Sequence, residues 1–287
     1  MKVPMVGDRS VLVTGCSSGI GLATAEMLRS KGWKVFPTAR KPGDLESLRQ
    51  SGFEAVELDV TSSESIVAAV GVVLEKNGGK LGAVVNNAGF GMPGAIEDLT
   101  RDAMRYQFEV NLFGLQELTN RLVPVFRGQG YGRIVNISSV VGRLSLPFMG
   151  IYSASQFALE AVSDAQRVEL APDSIGISLV EPGPIRTRFS STCAGAGEDR
   201  LDTKESKFGL AYKQYFEQRR NGGMSEDRFR LPPEAVAKKV VHALESPRPK
   251  IRYKVTLPAH LGDWVARFVP AGVLDSLMTN HVKKRFG

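Results

Sequence analysis

Close to the start of the chain lies a glycine-rich turn, Thr14-Gly-Cys-Ser-Ser-Gly-Ile-Gly21. It follows the β-branched run Ser10-Val-Leu-Val-Thr14 and opens a helical pattern over residues 19–31. Glycines at 15, 19 and 21 let the backbone approach a pyrophosphate and let the helix pack close to the strand. The helix start turns unpaired N–H groups toward an anion. Ser17 and Ser18 offer hydroxyls there, and Ile20 completes the turn. The chemistry indicated is the binding of a dinucleotide. After a second strand, Lys34-Val-Phe-Pro-Thr-Ala39, the chain continues Arg40-Lys41. An acidic residue is common there in folds that bind NAD. A guanidinium instead grips a 2′-phosphate through two N–H groups, which points to NADP(H). The plain alternative is a solvated basic loop.

A second group of residues has the types needed for proton transfer. Ser139 and Tyr152 stand thirteen residues apart, and Gln156 follows the tyrosine by one helical turn. Reduction of a carbonyl by hydride leaves a developing alkoxide that needs a proton and hydrogen bonds. A phenol can serve, yet its ordinary pKa of about 10 is too high for a base near neutrality. Singly, each residue also fits a plain structural role: Ser138-Ser139 as a strand end, Tyr152 as packing at a helix start.

Positioning these groups requires a frame, and the chain alternates short β-branched runs with helical stretches. That is the pattern of an α/β protein with a Rossmann-like, doubly wound parallel sheet of about seven strands. Strands are expected at 10–14, 34–39, 54–58, 82–86, 132–137, 176–181 and 250–255. Pro37 argues for an irregular or edge-like second strand. Helices are expected at 19–31, at 61–76 with Thr61 or Ser62 as the cap, and at 100–126, 152–170 and 232–244. Residues 1–287 form one domain. Within it, residues 184–231 are charged, contain Gly195, Gly197, Gly222 and Gly223, and lack clear periodicity, as expected of a mobile substrate lid. Residues 257–287 form an amphipathic tail interrupted by Pro270 and Gly272 and ending in Lys283-Lys-Arg285.

The turn Thr-Gly-x-x-x-Gly-x-Gly resembles the fingerprint of the short-chain dehydrogenase/reductase family. The resemblance runs over residues 8–255, through Asp59, Asn86-Asn-Ala-Gly89, Asn111, Ser139, Tyr152 and Pro182-Gly183. Gly-Cys-Ser-Ser-Gly-Ile-Gly and Leu146-Pro-Phe148 look most like its 17β-hydroxysteroid and retinol dehydrogenase branch. It implies that Asp59, with Val60 beside it, meets the adenine and that Asn87, Ala88 and Gly89 line the adenosine ribose side. Ile185 and Thr187, after Pro182 and Gly183, would meet the nicotinamide. Ser139 would orient the substrate, and Asn111 would hold a water in a proton relay. The family places a lysine where this chain has Gln156. An amide still reaches ribose hydroxyls but brings no positive charge, so a weakened or inactive site is implied. Two accounts fit Gln156: a residue introduced into an otherwise competent enzyme, or a natural residue that marks a slow or non-catalytic member; the rival function is an NADP(H)-binding sensor or scaffold. The presence of Ser139, Tyr152 and Asn111 favours the first.

Leu144, Leu146, Phe148 and Met149 either line a pocket for an apolar steroid-, retinoid- or long-chain-like alcohol or carbonyl, or are simply core. The tail covers the pocket, packs on a partner subunit or touches a membrane, a long membrane-lying helix being the weakest choice. The resemblance also implies a homodimer through the helices at 100–126 and 152–170.

The chain has 287 residues, 43% of them hydrophobic and 23% charged, enough for a sizeable core. Its +7 charge is spread along the length without a dominant basic block, so nucleic-acid binding is not expected. Two distant cysteines, Cys16 and Cys193, give neither a disulfide framework nor a metal-ligand spacing. All three histidines lie in the last fifth, away from the motifs, which argues against a histidine-based triad. Residues 1–9 lack a secretory apolar run, and no stretch has the length of a transmembrane segment. A cytoplasmic location is expected.

Overall fold

Seven parallel strands in the order β3-β2-β1-β4-β5-β6-β7 form one sheet. They are β1 (Ser10–Val13), β2 (Lys34–Ala39), β3 (Val56–Glu57), β4 (Ala83–Asn86), β5 (Gly132–Ile137), β6 (Ile175–Pro182) and β7 (Arg252–Val255). The computed structural model describes residues 4–201, 203, 205–220 and 229–286. Gly222 and Gly223 lie outside the described residues, as do the side chains of Lys283, Lys284 and Arg285. The strand order reverses between β1 and β4, which opens a crevice at their carboxyl ends. The glycine turn leaves β1 at that point, and Asn87 leaves β4 beside it.

Helices cover both faces. Side chains alternate across β1, so Val11 and Val13 face one layer and Leu12 the other. The first layer contains α1 (Gly19–Ser30) and α2 (Pro42–Gln50), and the second α3 (Ser63–Lys76). Ser62 caps α3 by accepting from the Ser65 N–H at 3.2 Å. The stretch expected as one helix at 100–126 is α4 (Arg101–Phe108), a π-helical turn Glu109–Phe113, and α5 (Gly114–Gln129). α6 (Gly150–Glu169) carries Tyr152 in its first turn. The segment read as lacking periodicity contains α7 (Phe189–Arg200) and α8 (Gly209–Arg220). α9 (Glu234–Glu245) joins α1 on the first face. The tail is two helices, α10 (Leu257–Phe268) and α11 (Ala271–Phe286), divided at Pro270.

Two expectations need correction. β2 is an interior strand despite Pro37. Its residues 34 and 38 bond toward β1, so Pro37 turns its missing N–H to the β3 side, where pairing begins only at Thr38. The third strand keeps just Val56 and Glu57 of the expected 54–58. Helix α2 was missed, although Pro42 at its start and Asp44 in its first turn are start signals.

Candidate active site

The first turn of α1 meets the crevice with its donors free. Ser18 is the N-cap, yet its side chain makes no capping bond, so the terminal N–H groups are available to an anion. Gly15 and Gly19 have φ of 70° and 62°, the left-handed region that favours glycine. A methyl at Gly15 would come within 2.9 Å of Ala88 Cα, and one at Gly21 would collide with the Gly15 carbonyl. Ser17 is exposed, and Ser18 and Ile20 are half-buried along the same turn.

Asn87 ties this turn to β4. Its amide donates to the carbonyls of Thr14 and Gly15 at 2.8 and 3.0 Å, and Thr14 Oγ1 accepts from the N–H groups of Asn87 and Ala88. The Asn87 side chain is therefore a fastener of the turn. Arg40, exposed at the end of β2, lies 3.7 Å from Asp59 at the end of β3 and donates to the Tyr106 hydroxyl at 3.5 Å. Asp59 accepts from the N–H and hydroxyl of Thr61. Lys41 is exposed beside Arg40, while Val60 is buried with its carbonyl against Gly114. At the opposite end of the crevice, Gly183 donates to the Val255 carbonyl just after Pro182. Ile185 packs into the core of the first face. Thr187 stands over Gly19, where a methyl would meet its Cγ2 at 3.0 Å. The residues expected at the adenine, pyrophosphate and nicotinamide positions thus follow one line across the carboxyl edge of the sheet.

Tyr152 is buried at the inner end of that line. Gln156 Nε2 donates to its hydroxyl at 3.2 Å, and Ser139 is also hydrogen-bonded to it. Burial pushes the phenol above its ordinary pKa; the bonds from Gln156 and Ser139 partly oppose this, and Cys193 nearby adds to it. The buried Gln156 Oε1 has no hydrogen-bond partner. An unmatched acceptor there suits a ribose hydroxyl. Together with the free helix terminus and the glycine turn, it shows that these residues fit a dinucleotide.

The sequence did not single out what holds Tyr152. Its ring rests on Gly91, where a methyl would meet it at 3.2 Å. The loop around Gly91 is clamped by Gln107, which accepts from the Met92 N–H at 2.6 Å and donates to the Phe90 carbonyl at 3.0 Å. Asn111, four residues on, accepts from the Phe90 N–H and donates to its carbonyl and to Ser155 Oγ. Its amide thereby fastens the loop under Tyr152 to α6. The polar pair Gln107 and Asn111 at i, i+4 was the available signal.

A cavity of about 480 Å³ opens next to Tyr152. Leu146, Phe148 and Met149 line it as expected, but Leu144 does not; its N–H turns back to the Val140 carbonyl. Further wall comes from Pro93 and Gly94 after β4, from α7 and α8 through residues such as Phe189, Cys193 and Tyr212, and from Met278 and Val282 of α11. The Phe189 and Tyr152 rings are 5.7 Å apart. Phe148 holds a φ of 62°, a strained value for a bulky side chain. Its carbonyl accepts from Gly94 at 2.8 Å, and its ring meets Phe208 edge-on at 5.0 Å.

Behind the phenol, Arg252 of β7 bridges Glu160 of α6 and Glu181 of β6 at 2.9 and 3.2 Å. Burial, and then the neighbouring Glu160 charge, raise Glu181 to about 7. The folded chain therefore binds a proton that the unfolded chain releases near 4.5. The resulting stabilisation is full at acid pH and is lost as pH rises through about 7. The separation between 4.5 and about 7 corresponds to roughly 3 kcal/mol. Glu181→Gln is expected to raise the melting temperature at pH 8 by roughly 5 °C, with the gain vanishing toward pH 4.5, as thermal denaturation across that range will show.

Residues 9–195 match the short chain dehydrogenase family. The chain is 42% identical over 273 residues to an uncharacterized oxidoreductase, YbbO, of Escherichia coli K12, covering 95% of each chain. It is 35% identical to human 17-beta-hydroxysteroid dehydrogenase type 1, covering 86% of this chain and 77% of the other. A short chain dehydrogenase/reductase of Burkholderia phymatum, solved in complex with NAD, superposes with a TM-score of 0.75 at 26% identity, covering 97% and 96%. With the glycine turn, the reversal of strand order and the buried phenol in one crevice, the chain belongs to the short-chain dehydrogenase family of oxidoreductases.

Proposed function

We propose that the protein interconverts an alcohol and a carbonyl on an apolar substrate with NADP(H), at a site weakened by Gln156. One observation carries the proposal: a buried phenol, hydrogen-bonded by Ser139 and Gln156, stands between an uncapped helix terminus and an apolar cavity. Gly15, Ser18 and Gly19 would hold the pyrophosphate, Arg40 and Lys41 the 2′-phosphate, Asp59 the adenine, and Gln156 the nicotinamide ribose. Ile185 and Thr187 would meet the nicotinamide amide. When bound, the nicotinamide supplies or accepts the hydride. Ser139 orients the substrate oxygen toward Tyr152. The Tyr152 phenol, held protonated by burial, donates to that oxygen in reduction and must lose its proton first in oxidation. Reduction is thus the easier direction near neutrality.

Within the expected lid of residues 184–231, the described helices α7 and α8 would cover an elongated steroid-, retinoid- or long-chain-like substrate, in keeping with the steroid named for the human relative. Buried thiols at Cys16 and Cys193 suit a reducing cytoplasm. Exposed Phe113 and Phe157, beside α5 and on α6, support pairing of two copies through those helices.

Titration calorimetry with NADPH and NADH, paired with NADPH oxidation against a panel of apolar ketones and aldehydes, tests the proposal. Loss of affinity for both dinucleotides would overturn it. Arg40→Asp is expected to weaken NADPH binding at least tenfold while leaving NADH within a few-fold, since a charged hydrogen bond to phosphate is worth about 1.5–3 kcal/mol. The missing cation at 156 favours one rival, an NADP(H)-binding sensor or scaffold without turnover. That rival predicts tight NADPH binding and no ketone reduction even with Gln156→Lys.

A further inference from the structure

α10 is held by one face and bare on the other. Its inner side carries Gly262, packed against Val140, and Asp263, which accepts from Arg143 and Lys254. Those contacts fix the rotation of the helix. Leu257, Leu261, Trp264 and Phe268, at i, i+4, i+7 and i+11, form one stripe on the outside. All four are more than half exposed, and the Trp264 and Phe268 rings touch at a centroid distance of 5.7 Å. Beyond Pro270, α11 continues the apolar surface: Leu277 is exposed, while Met278 and Val282 line the substrate cavity.

We infer that the outer face of α10 and α11 is a docking surface for an anionic lipid bilayer. Charge selects this occupant over a second copy of the chain. Residues 257–287 contain four basic residues, Arg267, Lys283, Lys284 and Arg285, against two acidic ones. Of the acids, Asp263 is already neutralised by Arg143 and Lys254 on the inner face, with Arg267 3.9 Å from it. Two copies meeting through this segment would bring two positively charged stretches together, whereas anionic headgroups attract one. The stripe is one residue wide per turn, which suits shallow insertion at the headgroup boundary. No helix of the described residues is long and apolar enough to cross a membrane. The break at Pro270 that argues against one long membrane-lying helix leaves α10 with a complete stripe of its own. Because α11 lines the cavity from its inner side, the docked protein would take a lipid-dissolved substrate without passing it through water. Delivery rests on the proposed function; docking does not.

The protein carries its own reporter. Of its two tryptophans, Trp33 is 4% exposed and Trp264 is 57% exposed. Adding phosphatidylcholine vesicles containing one-third phosphatidylglycerol is expected to shift the emission to the blue and to co-sediment the chain. Pure phosphatidylcholine or high salt should cut the bound fraction several-fold. A Leu261→Ser, Phe268→Ser variant keeps the reporter and is expected to bind the vesicles at least tenfold more weakly. Its NADPH affinity, unchanged, shows that the fold is intact and separates failure of docking from failure of the proposed function. An emission unmoved by vesicles, or a blue shift that instead follows protein concentration with dimerisation, would overturn the inference.

Discussion

Gln156→Lys is expected to speed carbonyl reduction by NADPH about a hundredfold. Gln156 Nε2 already lies 3.2 Å from the Tyr152 hydroxyl, so a lysine from the same position reaches the neighbourhood of the phenol. A positive charge about 5 Å from a phenolate, at an effective dielectric near 20, contributes roughly 3 kcal/mol, or about two pK units. The amide stabilises the phenolate only through one neutral hydrogen bond. The pH dependence gives a second measurement. Burial keeps the wild-type phenol protonated well above neutrality, so alcohol oxidation, which needs the phenolate, should climb with pH through the alkaline range. In the lysine variant the climb should begin about two pH units lower. Absence of both the rate gain and the pH shift would remove the charge of residue 156 as the limiting factor.

Tyr152→Phe, made in the lysine background, is expected to reduce turnover by about 10²- to 10⁴-fold, the range for loss of a positioned proton donor. Affinity for NADPH should change less than threefold. The aromatic ring that rests on Gly91 and faces Phe189 is retained, so packing survives and only the hydroxyl is lost. Single-turnover rates with a saturating ketone isolate the chemical step from binding. A variant that keeps most of its activity would show that another group delivers the proton.

The glycine turn, the seven-stranded parallel sheet and the pair Ser139 and Tyr152 were legible in the sequence because each leaves a mark in local residue types and spacing, whereas the order of the strands came only with the fold. A left-handed backbone at Gly15 and Gly19 demands glycine, and a helix one turn long relates Tyr152 to Gln156. Pro37 misled because a proline excludes a central strand only when its nitrogen faces a paired neighbour, and here it does not. The π turn left no mark in the hydrophobic pattern, since one extra residue per turn shifts the stripe by less than its width. The cavity wall was half legible. Leu146, Phe148 and Met149 lie beside Tyr152 in sequence, but Phe189, Tyr212 and Met278 come from remote segments that no spacing connects. Gln107 escaped because a buried glutamine looks like any surface glutamine until its loop is in place.

The cavity joins stretches of chain encoded far apart, and this divides the molecule into two parts that can diverge at different rates. Substitutions in α7, α8 and α11 would reshape the cavity while the strands, the glycine turn and the phenol keep their places. Descendants of one ancestral chain can in this way acquire distinct substrate preferences through changes at the periphery, on a reaction centre inherited whole.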